Sequence, residues 1–314
     1  MATLPYPTST DHLLITIPFS HYNEKARWAF DYYSIPYAEQ RVMPGLHRYS
    51  TRPYVTPTSR GKKNSLSTPY STPMLVVKPH LKPPYTIHDS SDITRYAATS
   101  FSSHSALPAR IDGIQRMPDL YLSCGLELEP RVLQLERRFS DGNCLGIHSR
   151  RWAYYQILCR DKDLAIWRVM AARSNVGWLQ RLMWWFMYPK IAHILCTFMM
   201  INEASAKSSE TAIIAEFEYV STLITPESPF LAGKAFSAAD ITFAVLAAPA
   251  LGIGEKEGYG SWSPKKEVFH KDAQEFMERL RQTPAGKHVL MMYREYRGRK
   301  AIGCRNARQW GGLW

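Results

Sequence analysis

The chain has 314 residues, 45% hydrophobic and 21% charged, a globular composition long enough for one large or two ordinary domains and unlike that of a disordered chain. Its 39 basic and 27 acidic residues leave a net charge of +12, which favours anionic partners such as small anions, membrane surfaces or nucleic acid. Zinc-finger spacing, an RNA-binding aromatic motif and a basic-helix zipper are all absent, so nucleic acid is not expected as a partner. Five cysteines (Cys124, Cys144, Cys159, Cys196 and Cys304) are scattered without a C-x-x-C pair, and no N-x-[ST] acceptor occurs. That usage fits free thiols in a reducing compartment. The start, Met1-Ala2-Thr3-Leu4-Pro5, lacks the regions of a secretory signal, so a cytoplasmic location is expected.

Leu13-Leu14-Ile15-Thr16-Ile17 reads as a first strand. Glu24 to Ser34 reads as a helix, with Ala26, Ala29, Phe30 and Tyr33 at helical spacing, and Tyr37 to Met43 as a second strand. Strand, helix and strand in so short a span predict a βαβ unit with a right-handed crossover. Pro44 to Ser71 is rich in turn residues, and its middle, Ser59 to Ser65, reads as a mobile insertion. Pro73-Met74-Leu75-Val76-Val77 and Tyr85-Thr86-Ile87-His88 read as a hairpin of two further strands. Ser90 or Ser91 then caps a short helix running through Tyr96. From about Ile111 the strand signal fades. Ile213, Phe217, Val220 and Ile224 recur at helical spacing, and Ala238 to Ala248 is a second helical run. The expected organisation is a mixed α/β domain over 1–98, a Ser-rich linker over 99–110, an all-helical domain over 111–297 and a basic tail over 298–314.

Several constellations carry chemistry, and each has a plain structural alternative. Ser20 stands where the first strand gives way to a helix. It is either an N-cap or a hydroxyl able to donate to a bound thiolate, whose charged form the helix terminus also favours. In Ser71-Thr72-Pro73-Met74, Pro73 is an ordinary strand-start proline or a cis proline presenting the Thr72 backbone to a ligand. In His88-Asp89-Ser90-Ser91-Asp92, the turn caps a helix, or its N–H groups and the Ser90 hydroxyl take a carboxylate while Asp89 takes an ammonium. Phe236-Ser237-Ala238-Ala239-Asp240-Ile241 reads as a structural capping box with a hydrophobic staple, built on Ser237 and Asp240. Trp178 to Met200 is apolar enough to suggest membrane contact. Arg181, Pro189, Lys190 and His193 argue against a span, and buried or pocket-lining helices are expected instead. The tail, with Arg299, Lys300, Arg305 and Arg308, reads as a solvated basic end. No H-E-x-x-H, G-x-S-x-G, G-x-G-x-x-G or P-loop occurs, and the ten histidines show no metal-ligand spacing, so no metal is expected.

Taken in order, the segments SHYNEKARWAFDYYSIPY, STPMLVV, HDSSDITRY, RRWAYYQIL, FLAGKAFSAADITFAVLAAP and TPAGKHVLMMYREY resemble the glutathione S-transferase family, over about residues 13–297. The resemblance implies a thioredoxin-like N-terminal domain followed by an all-α C-terminal domain. It also implies an enzyme that conjugates glutathione to an apolar electrophile, as in detoxification. Under it Ser20 is the hydroxyl that activates the glutathione thiol, and Pro73 is the family's cis proline. Thr72 would pair with the cysteinyl part through its backbone, and Asp89 with Ser90 would hold the γ-glutamyl head. His47 and Arg48 are candidates for the glycyl carboxylate, without a motif match. Asn23 stands where similar sequences often carry Cys. With no cysteine at 20 or 23, thiol-transfer chemistry of the cysteine type is disfavoured. The alternative is a non-catalytic binding or scaffold protein of the same fold. A homodimer is left open, and so is peripheral membrane contact, which is not favoured.

Overall fold

The computed structural model describes residues 11–55, 68–79, 83–102, 110–111, 114–115, 117–160, 176–297 and 305–306. The expected insertion at 59–65 and most of the tail lie outside these. The central strand β1 (His12–Thr16) is buried at every position, because both faces of the sheet are covered there. β2 (Ala38–Arg41) runs parallel to it, reached by the crossover helix α1 (His21–Tyr32). β3 (Met74–Val77) lies antiparallel on the other side, and β4 (Tyr85–His88) antiparallel beyond that. The order β4-β3-β1-β2, with one parallel and two antiparallel pairings, is the sheet of a thioredoxin-like domain. Alternation along the strands sorts the side chains. Leu13, Ile15, Met74 and Val76 form a small cluster on one face. Leu14, Leu75 and Val77 join the main core, with Trp28 and Phe30 of α1 and Ile93 of α3 (Ser90–Phe101).

α2 (His47–Thr51) is a single short turn after β2. The strand content does not end where the sequence pattern suggested. Residues 110–111 and 114–115 form a small hairpin, β5 (Arg110–Ile111) and β6 (Ile114–Gln115), and β7 (Arg305–Asn306) in the tail pairs parallel with β2 at the sheet edge. Pairs this short leave too little periodicity to be recognised in sequence. α1 starts at His21 rather than Glu24, and α3 continues to Phe101, into the stretch expected as linker.

The rest is helical: α4 (Glu129–Ser140), α5 (Leu145–Tyr154), α6 (Trp178–Phe198), α7 (Glu203–Leu223), α8 (Ala238–Leu251), α9 (Lys271–Gln282) and α10 (Pro284–Met291). Wider π-type turns continue α5 through Arg160 and α10 through Tyr296. α8 is the hub. All of its residues but Pro249 are buried, and it packs on α1, α4, α5, α9 and α10. A helix apolar all round belongs in a core, and this one joins the two halves of the molecule.

Ser237 and Asp240 form a capping box at its start. The Asp240 carboxylate accepts the Ser237 N–H at 3.0 Å and the Ser237 hydroxyl at 2.7 Å. It also accepts the Leu231 N–H at 2.9 Å and meets His288 Nε2 of α10 at 3.0 Å. A side chain read as a local cap therefore ties a loop and a second helix to the hub.

α6 corrects an expectation. It is one helix carrying Pro189, but it is neither buried nor enclosed. Gln180, Trp184, Tyr188 and Ala192, four residues apart, face the protein, whereas Trp178, Leu182, Phe186, Ile194 and Phe198 are exposed. The apolar excess misled because the helix is apolar on the outside as well. Among the described residues, no helix is long and apolar enough to cross a membrane.

Candidate functional site

The strand register defines one end of the sheet. Ile15 pairs with Met74, and Met74 with His88. The chain leaving β1, the chain entering β3 and the chain leaving β4 therefore meet at the same edge. Ser20 lies on the first of these, Thr72 and Pro73 on the second, and Asp89 and Ser90 on the third.

Ser20 has an extended backbone (φ −77°, ψ 123°) and occupies the N-cap position of α1. Its carbonyl accepts the Glu24 N–H at 3.0 Å, opening the helix, and its own N–H donates to Ile17 O at 3.1 Å. Its hydroxyl makes no cap hydrogen bond. The half-buried hydroxyl thus stands at the positive end of a 12-residue helix without a capping task.

The Thr72–Pro73 peptide is cis, and Pro73 is buried. Asn23 fastens this turn to the start of α1. Its side-chain amide donates to Ile17 O at 3.3 Å and to Thr72 Oγ1 at 3.4 Å. Asp89 is exposed, with a positive φ of 77°, and Oδ1 caps α3 by accepting the Ser91 N–H at 2.7 Å. Ser90 behind it is only 2% exposed. Lys25 reaches across from α1, donating to Ser91 Oγ at 2.8 Å and Glu136 Oε1 of α4 at 2.7 Å. Tyr121 donates to the same carboxylate oxygen at 3.0 Å. The second and third loops of the site are therefore each bonded to α1.

α1 is itself anchored by a buried ionic cluster. Arg27 Nε donates to Glu39 at 2.6 Å, and Arg297 donates to Glu24 and Asp31, each at 2.7 Å. The Gly260 N–H adds a further bond to Glu24, at 2.8 Å. Burial pushes the Glu39 carboxyl up, but Arg27 and Arg41 overcome this and hold it down at about 2. Arg297 follows the last turn of α10, so the far end of the chain grips the helix that carries Ser20.

The second turn-face of α1 forms the junction with the helical half. His21 Nε2 lies 3.0 Å from Gly146 O of α5; burial, with the Arg150 charge, holds its imidazole down at about 3. The Tyr22 phenol lies 3.9 Å from Cys144 Sγ, and burial raises its pKa. Gly146 is required there, since a Cβ would strike the Tyr22 hydroxyl. Tyr22, Cys144 and Gly146 escaped the sequence reading. The one signal was a glycine in the first turn of an otherwise amphipathic helix. His47 and Arg48 lie on α2: His47 Nδ1 accepts the Gly45 N–H at 3.2 Å, and Arg48 covers the Tyr70 ring at 5.2 Å.

A cavity of about 560 Å³ lies elsewhere, among the π-turn after α5, α7 and α9, lined by Gln156, Arg160, Lys207, Glu210 and Asp272 among others, and containing none of the residues above. Among the described residues, no group of three or more His, Cys, Asp and Glu could hold a metal ion.

No family model matches the chain, and no curated protein matches it. Solved structures do. A glutathione S-transferase of Ceriporiopsis subvermispora in complex with glutathione is 14% identical, with a TM-score of 0.47 over 91% of this chain and 97% of that one. Glutathione transferase F2 from Populus trichocarpa is 13% identical, with a TM-score of 0.45 over 90% and 98%. FzlA from C. crescentus is 15% identical, with a TM-score of 0.44 over 91% and 99%. At these identities and TM-scores the likeness transfers no residue roles to this chain.

Proposed function

We propose that the chain binds glutathione at the edge where β1, β3 and β4 converge, and conjugates its thiol to an apolar electrophile. In this reading the thioredoxin-like unit, residues 1–98, holds the tripeptide, and the helical unit, 111–297, supplies the wall for the second substrate. The observation that carries it is the uncommitted Ser20 hydroxyl at the start of α1, beside a Thr72–Pro73 turn and an exposed Asp89.

A free thiol titrates near pH 8.5, so about 3% is ionised at pH 7. A hydroxyl donor and the terminus of α1 both favour the anion and lower that value. Ser20 would donate to the sulfur, the thiol proton would leave to solvent, and the thiolate would add to an activated double bond of the electrophile, forming the C–S bond as the π bond opens and its electron pair takes a proton from solvent. The Thr72 backbone would pair with the cysteinyl amide, and Asp89 would accept the γ-glutamyl ammonium. Ser90 is expected to help fix the head group from behind that turn. Such chemistry fits a cytoplasmic detoxification enzyme.

The test is conjugation by the purified full chain and by Ser20→Ala. A hydrogen bond to a charged sulfur contributes about 1.5–3 kcal/mol, so kcat/KM should fall about 10- to 100-fold. The pH profile should move up by about one unit or more. Unchanged turnover removes Ser20 from the mechanism. Absence of calorimetric binding at millimolar glutathione would leave a binding module of this fold instead.

A further inference from the structure

We propose that α6 is a membrane-docking helix that lies in the surface of an anionic lipid bilayer. The exposed apolar residues of the first half of the helix gather on one face. Trp178, Leu182, Trp185 and Phe186 lie within about 100° of helix rotation, and all are exposed, from 46% for Leu182 to 74% for Phe186. Residues four apart share a helix face. The buried row, Gln180, Trp184, Tyr188 and Ala192, is offset by two positions and therefore lies on the opposite side. That row holds the helix to the body of the protein, with Gln180 Oε1 accepting the Met43 N–H at 3.1 Å. Four large apolar side chains on one outward face are far more than the scattered exposure normal for a soluble surface.

Charge selects the occupant. From Val176 to Asn202 there is no acidic residue, whereas Arg181, Lys190 and His193 are exposed among the apolar ones. A second copy of the chain would set these cations against their own equivalents across a two-fold contact, with no carboxylate from the same segment to neutralise them. A bilayer carrying anionic headgroups satisfies both features. Trp178 and Phe186 would enter at headgroup depth, and Arg181 and Lys190 would reach phosphate and carboxylate groups. Helix α6 has 21 residues, about 30 Å of length to lay on the surface.

The experiment is co-sedimentation of the full chain with vesicles of phosphatidylcholine containing phosphatidylserine, and with vesicles of phosphatidylcholine alone. Binding is expected to the first, weakened by salt, and to be much lower for the second. Leu182→Glu with Phe186→Glu should reduce partitioning at least tenfold while leaving the circular dichroism spectrum unchanged, since both side chains are solvent-exposed. Arg181→Gln with Lys190→Gln should reduce it about 25-fold at low salt, from roughly fivefold per cation. Three results would overturn the proposal: no binding to phosphatidylserine vesicles, equal binding by the Leu182/Phe186 variant, or sedimentation equilibrium showing a dimer that this variant splits. None of these depends on glutathione, so the proposal fails or survives separately from the enzymatic reading.

Discussion

Replacing Arg297 by Met should weaken the whole molecule and loosen the helix that bears Ser20. Met keeps most of the aliphatic stem of Arg297, which is 2% exposed, and its guanidinium lies 5.6 Å from the Trp28 ring. What disappears is the pair of 2.7 Å bonds to Glu24 and Asp31. Glu24 retains the Gly260 N–H at 2.8 Å and Arg27 at 3.3 Å, and Asp31 retains the Tyr37 hydroxyl at 3.4 Å. Removing one member of a buried ion pair costs about 3–5 kcal/mol, and the surviving partners favour the lower end, about 3 kcal/mol. With a urea slope of about 3 kcal/mol/M, the unfolding midpoint followed by circular dichroism should drop by about 1 M. Arg294→Met is the control, because Arg294 is paired to Glu295 at the surface, with a side chain 73% exposed, and should change almost nothing. A midpoint for Arg297→Met within about 0.2 M of the parent would refute the claim that this guanidinium clamps α1.

Asp240→Ala should be at least as damaging. It strips acceptors from Leu231 and Ser237 and leaves His288 without its carboxylate, for an expected loss of about 3–5 kcal/mol measured by the same denaturation. Acid should destabilise the protein in two stages. Burial holds His12 down at about 4 and His21 at about 3, so the unfolded chain binds more protons than the folded one once pH falls below about 6.5. Stability should therefore decline from pH 6.5 toward 4, by up to about 1.4 kcal/mol per pH unit for each histidine, and His21→Gln should flatten that limb. Glu39, held at about 2, adds a second loss below the ordinary carboxylate range, present above it and gone as pH approaches 2. An acid limb that His21→Gln leaves unchanged would show that this imidazole is not the group responsible.

The sheet was readable because β1 and β3 are short apolar runs and the strands are bounded by turn residues. Leu13 to Ile15 and Met74 to Val77 need only an unbroken apolar run and a nearby proline to be found. The loops of the candidate site were readable too, since Ser20, Thr72-Pro73 and Asp89-Ser90 all sit at strand ends. Their convergence was not, because it follows from register, which a sequence pattern does not specify across a parallel crossover. The burial of charge was equally hidden. Glu24, Lys25 and Arg27 look like the solvated face of a helix, yet all three are at most 1% exposed, because Arg297, Glu136 and Glu39 come from distant parts of the chain to meet them. α6 failed in the opposite sense. Its apolar residues read as core, and only the packing of neighbours shows that one row of them has no core to join.

Glu24 meets Arg297, 273 positions further along the chain, and Gly260, 236 positions further along. A ribosome delivering this polypeptide from its amino end must therefore expose the first helix long before the groups that neutralise it have been synthesised. The early portion has to wait, incompletely settled, until residue 297 has been translated. Truncation just after Arg297 should spare that closure, while truncation a few residues before it should leave a product for quality control to destroy.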